Sequence, residues 1–145
     1  MRVQRGAPVE SPRVVKVLAL DYGLARTGVA VSDPTGTVAR PLDVVPDAAT
    51  EAGIARVVEL ADGEGVERIV VGLPLTLRGE RGKQVKQTET FVERLRSATD
   101  IPVAAFDERF TTRLAEANET EAPADAVAAA HLLSGYLTWL NARRT

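Results

Sequence analysis

The sequence predicts an α/β fold with a mixed five-stranded sheet and helices on both faces of the sheet. Three short apolar segments come first, joined by tight turns at 23–26 and 34–36, which is typical of an antiparallel meander. Helical and strand-like segments then alternate, which indicates strands joined by crossover helices. The strand-like segment 68–74 shows little polar alternation, as expected where both faces of a sheet are covered.

The three meander strands are predicted from short runs rich in β-branched residues. The first is Val14–Leu20, ended by Asp21-Tyr22-Gly23. The second is Thr27–Asp33, and Val38–Val45 is the third. The turn residues between them leave no room for a crossover helix, so neighbouring strands should run antiparallel.

Two helices should flank the fourth strand. The first helix is predicted from apolar residues at i, i+3, i+4 and i+7, namely Ile54, Val57, Val58 and Ala61. Gly63 and Gly65 are expected to stop it. The second helix should end near Asp100, and its apolar side is expected to carry Val85, Phe91, Val92 and Leu95.

The last third of the chain predicts a strand and two helices. Pro102–Phe106 is the fifth strand, and Thr111-Thr112 can cap a short helix running toward Asn118. Pro123 suits the first turn of the final helix. That helix is expected to bury one side, consisting of Ala126, Ala130, Leu133, Leu137 and Leu140.

Composition limits the class of protein. With 145 residues, 45% of them hydrophobic, the chain fits one globular domain at 14–145, preceded by a flexible leader at 1–13. It has no cysteine, which excludes disulfides and thiolate metal sites and fits a cytoplasmic protein. No apolar run is long enough to span a membrane. The net charge of −2 argues against coating nucleic acid by bulk charge, but it allows a local basic surface.

Three acidic residues fall where a predicted strand ends or a helix begins. They are Asp21, Glu108 and Asp125. Each has a simple structural interpretation: a turn for Asp21, a surface ion pair for Glu108, and a favourable helix-dipole contact for Asp125. Together they indicate a site for a hard divalent cation, Mg²⁺ or Mn²⁺, because unpaired carboxylates are costly beside a buried sheet. Such a site predicts a metal-dependent hydrolase of phosphodiester bonds.

A basic segment follows the fourth strand on the same predicted edge of the sheet. Segment 78–86 holds Arg78, Arg81, Lys83 and Lys86 against one glutamate, and it is expected to contact phosphates. His131 is the only histidine, so zinc is not expected. Tyr136 and Trp139 are expected to pack or to form a contact surface rather than to stack on bases.

Five motifs follow one another along the chain: Leu18-Ala-Leu-Asp-Tyr-Gly23, Arg26-Thr-Gly-Val-Ala-Val-Ser32, Val70-Val-Gly-Leu-Pro-Leu75, Asp107-Glu-Arg-Phe-Thr-Thr112 and Asp125-Ala-Val-Ala-Ala129. In this order they resemble the motifs of the YqgF/RuvX family, and the resemblance covers residues 15 to about 140. The resemblance implies an RNase H-like fold related to the Holliday junction resolvases. It also implies a nuclease that matures the 5′ end of pre-16S rRNA or cleaves branched DNA. Resolvase chemistry on a two-fold junction would favour a homodimer.

The resemblance also implies roles for individual residues. Asp21, Glu108 and Asp125 match the acids that the family is thought to use for catalysis and metal binding, with Asp107 as an assisting ligand. The implied supporting residues are Gly23, Thr27 and Gly28, and Arg109 would meet a phosphate. The segment from Phe110 to Ala124 is shorter and more acidic than is usual in the family, which leaves phosphate contacts to segment 78–86.

Two other functions stay open from the sequence. One is a non-catalytic nucleic-acid-binding or ribosome-assembly module of the same fold. The other is nucleotide binding in the manner of actin and the sugar kinases, whose phosphate loop also contains Asp-x-Gly before a valine-rich strand. That architecture needs two such domains around the nucleotide, and 145 residues supply one.

Overall fold

A computed structural model describes residues 14–75, 82–108 and 122–143. Its strands and helices follow in the order β-β-β-α-β-α-β-α: β1 Val17–Asp21, β2 Arg26–Ser32, β3 Ala39–Pro46, α1 Glu51–Glu64, β4 Arg68–Leu73, α2 Lys83–Ala98, β5 Val103–Asp107 and α3 Ala124–Ala142. This order confirms the predicted succession of elements. The predicted leader 1–13 and the predicted short helix after Thr111 lie outside the described residues.

The five strands form one mixed sheet in the order β3-β2-β1-β4-β5. β1 pairs antiparallel with β2, and β2 pairs antiparallel with β3, as the meander predicted. β4 pairs parallel with β1 on one side and with β5 on the other. The carboxyl ends of β1, β4 and β5 therefore meet at one edge of the sheet.

Hydrophobic side chains cover both faces of the sheet. Leu18 and Leu20 of β1 point into one cluster, which contains residues of α1 and α2. Val17 and Ala19 point to the opposite face, where the second cluster contains Leu133 and other residues of α3. Successive side chains of a strand alternate between faces, so a central strand between two helical layers has no polar side. This explains the apolar runs in the sequence.

The ends of α1 show how its boundaries are encoded. Thr50 caps its start, because the Thr50 hydroxyl oxygen accepts a hydrogen bond of 3.0 Å from the backbone N–H of Gly53. The helix ends at Gly65, whose φ of 67° lies in the left-handed region. Gly63 lies inside the helix, so the prediction that it stops α1 is wrong. Only Gly65 takes the backbone conformation that ends the helix.

The buried sides of the other two helices agree with the periodicity. In α2 the four predicted apolar residues are buried. In α3, Ala126, Leu133 and Leu137 are buried, while Ala130 and Leu140 are partly buried against the same cluster. The rest of the buried side comes from residues between them: Ala129, Leu132, Gly135 and Tyr136.

The strand and helix boundaries differ from the prediction by a few residues. β1 begins at Val17 rather than Val14, which is 39% exposed and outside the ladder. Pro123 is the residue that precedes α3 rather than part of its first turn, and its carbonyl accepts the N–H groups of Ala126 and Val127. Among the described helices, none combines the length and the hydrophobicity that crossing a bilayer requires.

Candidate active site

The sheet topology brings the acids of two strands to one edge. Asp21 is the last residue of β1, Asp107 is the last residue of β5, and Glu108 follows it directly. β1 and β5 run parallel on either side of β4, so their carboxyl ends face the same solvent region. Ligands of open α/β sheets bind beyond the carboxyl ends of the strands.

Asp21 and Glu108 form a hydrogen-bonded carboxyl pair. Both side chains are half-buried. Burial, the charge of Asp21 and the hydrogen bond to Asp21 raise the pKa of Glu108 to about 7, and the charge of Asp107 adds to this. Burial also raises the pKa of Asp21, although the hydrogen bond from Glu108 opposes that shift. The pair is therefore harder to ionise fully than two isolated carboxyl groups would be.

Asp125 lies beside this pair but contacts a different partner. Its charge is close enough to raise the pKa of Asp21. Its carboxylate oxygen Oδ2, however, accepts a hydrogen bond of 2.8 Å from Nε of Arg26, at the start of β2. Within segments 14–75, 82–108 and 122–143, no three His, Cys, Asp or Glu side chains are grouped as a metal site. The structure thus joins two of the three predicted carboxylates, and Arg26 holds the third.

Two glycines allow these elements to approach so closely. A Cβ at Gly28 of β2 would overlap the backbone carbonyl oxygen of Asp125, so a side chain there would push the start of α3 off the sheet. A Cβ at Gly72 of β4 would lie 2.8 Å from Oε2 of Glu108 and 3.1 Å from Cδ1 of Leu132. Gly28 therefore sets the depth of α3, and Gly72 leaves space for the Glu108 side chain.

The carboxyl pair faces a cavity of about 510 Å³ between the sheet edge and the start of α2. Asp21 and Glu108 form its acidic wall, and α2 supplies the opposite wall with Lys83, Gln84, Gln87 and Thr88. Tyr22, Gly23, Leu24 and Pro74 complete the lining. The cavity, which we call the acidic cavity, is therefore anionic on one side and cationic or amide-rich on the other.

Two residues after Asp21 shape the rim of the acidic cavity. The Tyr22 ring stacks on Phe91 of α2, with 4.5 Å between the ring centroids and 18° between the planes. Leu24 also lines the cavity and is 65% exposed. The stack anchors the rim to α2, while Leu24 leaves an apolar surface at the entrance.

The two lysines of the predicted basic segment separate in the structure. Lys83 lines the acidic cavity. Lys86 lines a different, shallow depression on α2 together with Arg94 and Glu93. Consecutive residues of a helix are about 100° apart around its axis. Lys86 therefore lies on a different side of α2 from its neighbour Gln87, which lines the acidic cavity. The other predicted phosphate contacts, Arg78, Arg81 and Arg109, lie outside the described residues.

The predicted supporting residues fix the turn after β1. Thr27 is buried, and its hydroxyl oxygen accepts a hydrogen bond of 3.3 Å from the backbone N–H of Gly23. Gly23 itself lies against the carbonyl of Arg26, at the other end of the same turn. This closes the turn and holds Tyr22 and Leu24 beside Asp21.

Sequence reasoning missed several residues of this site. Arg26 and Gly72 stand within two of the motifs but were given no role, and Gln84 and Gln87 were missed altogether. The signal available for the glutamines was their i, i+3 spacing in the first turns of an amphipathic helix, one turn before Phe91 on the same side. His131, in α3, is half-buried and does not line the acidic cavity.

Known proteins resemble the chain over most of its length. A protein of Chloroflexus aurantiacus named "Putative pre-16S rRNA nuclease" is 43% identical over 138 residues, covering 89% of this chain and 88% of that protein. A protein of the same name from Chloroflexus aggregans is 42% identical over 130 residues, covering 83% and 92%.

A solved structure supports the same fold. It is T. thermophilus RuvC in complex with a Holliday junction substrate, which matches 86% of this chain and 96% of that one with a TM-score of 0.54 and 22% identity. Together with the mixed sheet, this likeness shows the RNase H-like fold.

The RuvX family model, described as Holliday junction resolvase, matches residues 15–139, which is most of the chain. Every one of the five motifs lies within that range. The chain therefore belongs to the RuvX family of nucleases, hydrolases that act on phosphodiester bonds.

Proposed function

We propose that this chain is a divalent-cation-dependent nuclease whose reaction takes place in the acidic cavity. The observation that carries the proposal is the half-buried pair of Asp21 and Glu108 at the carboxyl edge of the sheet. Two adjacent, half-buried carboxyl groups are a poor arrangement for stability alone. They are a suitable arrangement for binding a positive charge.

The carboxylates of the candidate site fit Mg²⁺ or Mn²⁺, since proteins bind both cations through carboxylate oxygens. Asp21 and Glu108 would hold the cation, and Asp125 would join them by exchanging its contact with Arg26. Asp107 contributes charge beside Glu108 and would assist. A bound cation supplies a water nucleophile at neutral pH and stabilises charge on the leaving oxygen.

The other residues of the cavity would bind and orient the nucleic acid. Lys83 is positioned to contact a phosphate across from the carboxyl pair. Gln84 and Gln87 offer amide donors and acceptors to sugar or base edges. Leu24 offers an apolar surface to an unstacked base at the entrance. These features favour a substrate with irregular or branched structure over a uniform duplex.

The names of the relatives reduce the number of candidate substrates. Proteins over 40% identical to this chain are named for pre-16S rRNA, and the family model is described as a Holliday junction resolvase. We infer that the substrate is structured RNA at the 5′ end of pre-16S rRNA, with branched DNA as the second candidate.

A cleavage assay tests the proposal. The protein is incubated with a precursor-rRNA 5′ end, a four-way DNA junction and a single strand, with Mg²⁺, with Mn²⁺ and with EDTA. We expect cleavage only with a divalent cation. Asp21→Asn and Asp125→Asn should reduce cleavage at least 100-fold, because each removes a carboxylate at the site of charge development. Asp62→Asn, on the exposed side of α1, is the matched control and should cleave normally.

Three results would contradict the proposal. One is full metal-dependent cleavage by a folded Asp21→Asn protein. Another is nucleic-acid binding that EDTA does not change, without cleavage in any divalent cation, which would favour the binding module. The last is stoichiometric, saturable ATP binding without nuclease activity, which would favour the nucleotide-binding alternative.

A further inference from the structure

A second cavity lies at the far end of α3 from Asp125. It has a volume of about 360 Å³ and lies between the C-terminal turns of α3 and the edge strand β5. Asp125 and Trp139 are separated by 14 residues of α3, or roughly 21 Å along the helix axis at 1.5 Å per residue. This cavity, which we call the basic groove, is therefore separate from the acidic cavity.

Aromatic rings form the floor of the basic groove. Phe106 and Tyr136 meet edge to face with 5.2 Å between their centroids. Trp139 lies 5.7 Å from Phe106 and 5.8 Å from Tyr136. Phe106 and Tyr136 are buried, whereas Trp139 remains 39% exposed. The cluster thus fixes the orientation of the indole and leaves part of it accessible to a ligand.

Two guanidinium groups border the rings. Arg143 lies over the Trp139 ring, with Cζ 4.7 Å from the centroid. Arg68 donates a hydrogen bond of 2.6 Å from Nη1 to the Tyr136 hydroxyl oxygen. No carboxylate lines the groove, and neither arginine forms an ion pair with an acid in the described part of the chain. The groove therefore presents uncompensated positive charge beside an exposed aromatic surface.

We propose that the basic groove binds a single-stranded segment of nucleic acid. A base stacks against Trp139 or the Arg143 guanidinium plane, and the adjoining phosphates lie between Arg68 and Arg143. Charge complementarity argues for this occupant, since aromatic rings within a positively charged groove bind single strands without needing a particular sequence. A second copy of the chain, docked groove to groove, would instead place four guanidinium groups together.

The proposal goes beyond cleavage, because none of the described residues that line this groove is a carboxylate that could hold a cation. Binding here should therefore persist in EDTA, whereas the reaction in the acidic cavity should not. It also changes the expectation for Trp139, which the sequence alone assigned to packing or a contact surface. Tyr136 does pack, but the exposure of Trp139 and the arginine above it form a stacking site.

Trp139 is the only tryptophan of the chain, so fluorescence excited selectively at the indole, without exciting tyrosine, reports on this groove. The full chain carrying Asp21→Asn, which is expected to cleave poorly, is titrated in EDTA with a ten-nucleotide single strand. We expect saturable quenching of the fluorescence. Arg143→Gln should weaken binding roughly tenfold and reduce the slope of log K against log salt by about 0.7, the value for one phosphate contact on a single strand. Arg68→Gln should act in the same direction.

Matched variants separate the groove from general charge and from folding. Arg56→Gln removes one exposed guanidinium on α1, far from the groove lining, and should bind normally. Tyr136→Phe removes the hydrogen bond from Arg68 but keeps the ring, and should retain the stacking site. Trp139→Leu is followed by the anisotropy of a labelled strand, with circular dichroism to verify folding, and should bind roughly tenfold more weakly.

The proposal is overturned by absence of quenching, or by equal weakening in Arg56→Gln and Arg143→Gln. It is also overturned if polyglutamate of the same charge quenches as strongly, which would indicate an acidic peptide partner. Fluorescence that changes with protein concentration alone would indicate self-association through this face. Loss of cleavage by the unaltered chain would count against the proposed nuclease but leaves this binding measurement unaffected.

Discussion

The backbone of Gly28 in β2 contacts the carbonyl of Asp125 at the start of α3. The contact is so close that a Cβ at position 28 would overlap the carbonyl oxygen. It joins the antiparallel half of the sheet to the helix that carries the third acid of the candidate site. The distance between Asp125 and Asp21 thus depends on the absence of a side chain at position 28, since Gly28 is also the residue paired with Asp21 across β1 and β2.

Gly28→Ala should displace the first turn of α3 and lower the free energy of unfolding by about 1–3 kcal/mol, because a methyl group forced against backbone must move it. The cleavage rate should fall further than the loss of folded protein accounts for, since Asp125 moves with the helix. Denaturant unfolding and cleavage of the same preparation measure both effects. Gly63→Ala is the matched control: it has open space around it inside α1 and should be neutral or stabilising. Equal behaviour of the two variants would show that the contact is not important.

Arg26→Gln should release Asp125 and increase the affinity for Mn²⁺ several-fold, since a guanidinium that contacts a carboxylate competes with a cation for the same oxygen. Stability should change little, because this ion pair is exposed to solvent. Calorimetric titration of Mn²⁺ measures the affinity. Arg40→Gln, which removes an exposed contact with Glu64, serves as the control. Unchanged or weaker Mn²⁺ binding by Arg26→Gln would mean that Asp125 does not join the cation.

Glu108→Gln should change how stability depends on pH in EDTA. The pKa of Glu108 is raised in the folded protein to about 7 from an ordinary value of 4.5, so the folded state binds the proton more tightly than the unfolded state. Stability from this group is therefore present below pH 4.5 and is lost as pH rises towards 7. Solvent screening of this part-exposed group reduces the effect to on the order of 1 kcal/mol.

Chemical denaturation at pH 5 and pH 8 measures that dependence. Unaltered protein should lose stability relative to Glu108→Gln between these two values. Asp62→Asn, at an exposed position of α1, is a control that should follow the unaltered protein. Mg²⁺ or Mn²⁺ at saturation should stabilise the unaltered protein at pH 8 and have less effect on Glu108→Gln. Parallel pH profiles for the two proteins would show that Glu108 keeps an ordinary pKa.

Lys83→Gln and Lys86→Gln form a matched pair on one helix. Lys83 lines the acidic cavity and Lys86 does not, although each substitution removes one positive charge from the first turn of α2. Lys83→Gln should weaken substrate binding roughly tenfold and reduce the salt slope by about one phosphate contact, whereas Lys86→Gln should change either quantity little. Binding of the substrates to the Asp21→Asn protein at several salt concentrations tests this. Equal losses would mean that bulk charge rather than position governs binding.

The local pattern of apolar residues was sufficient to predict the described helices and strands and their order along the chain. The 3.6-residue spacing of Ile54, Val57 and Ala61 and the β-branched runs of the meander arise from which side chains face the core, and neighbouring residues encode that directly. The boundaries were less exact, since hydrogen bonding to a neighbouring strand decides where a strand begins. Val14 is as apolar as Val17, but only Val17 enters a ladder.

The sequence by itself determined that Asp21 and Glu108 would come to one sheet edge, because parallel strands place their carboxyl ends together. Only the tertiary structure decided that these two form a half-buried pair with raised pKa values while Asp125 contacts Arg26, which is 99 residues away along the chain. It also decided that Lys83 lines the same cavity as the acids and that Arg143 lies over Trp139. Those relations depend on strand register and helix rotation, and both are set by packing across the whole core rather than by any short segment.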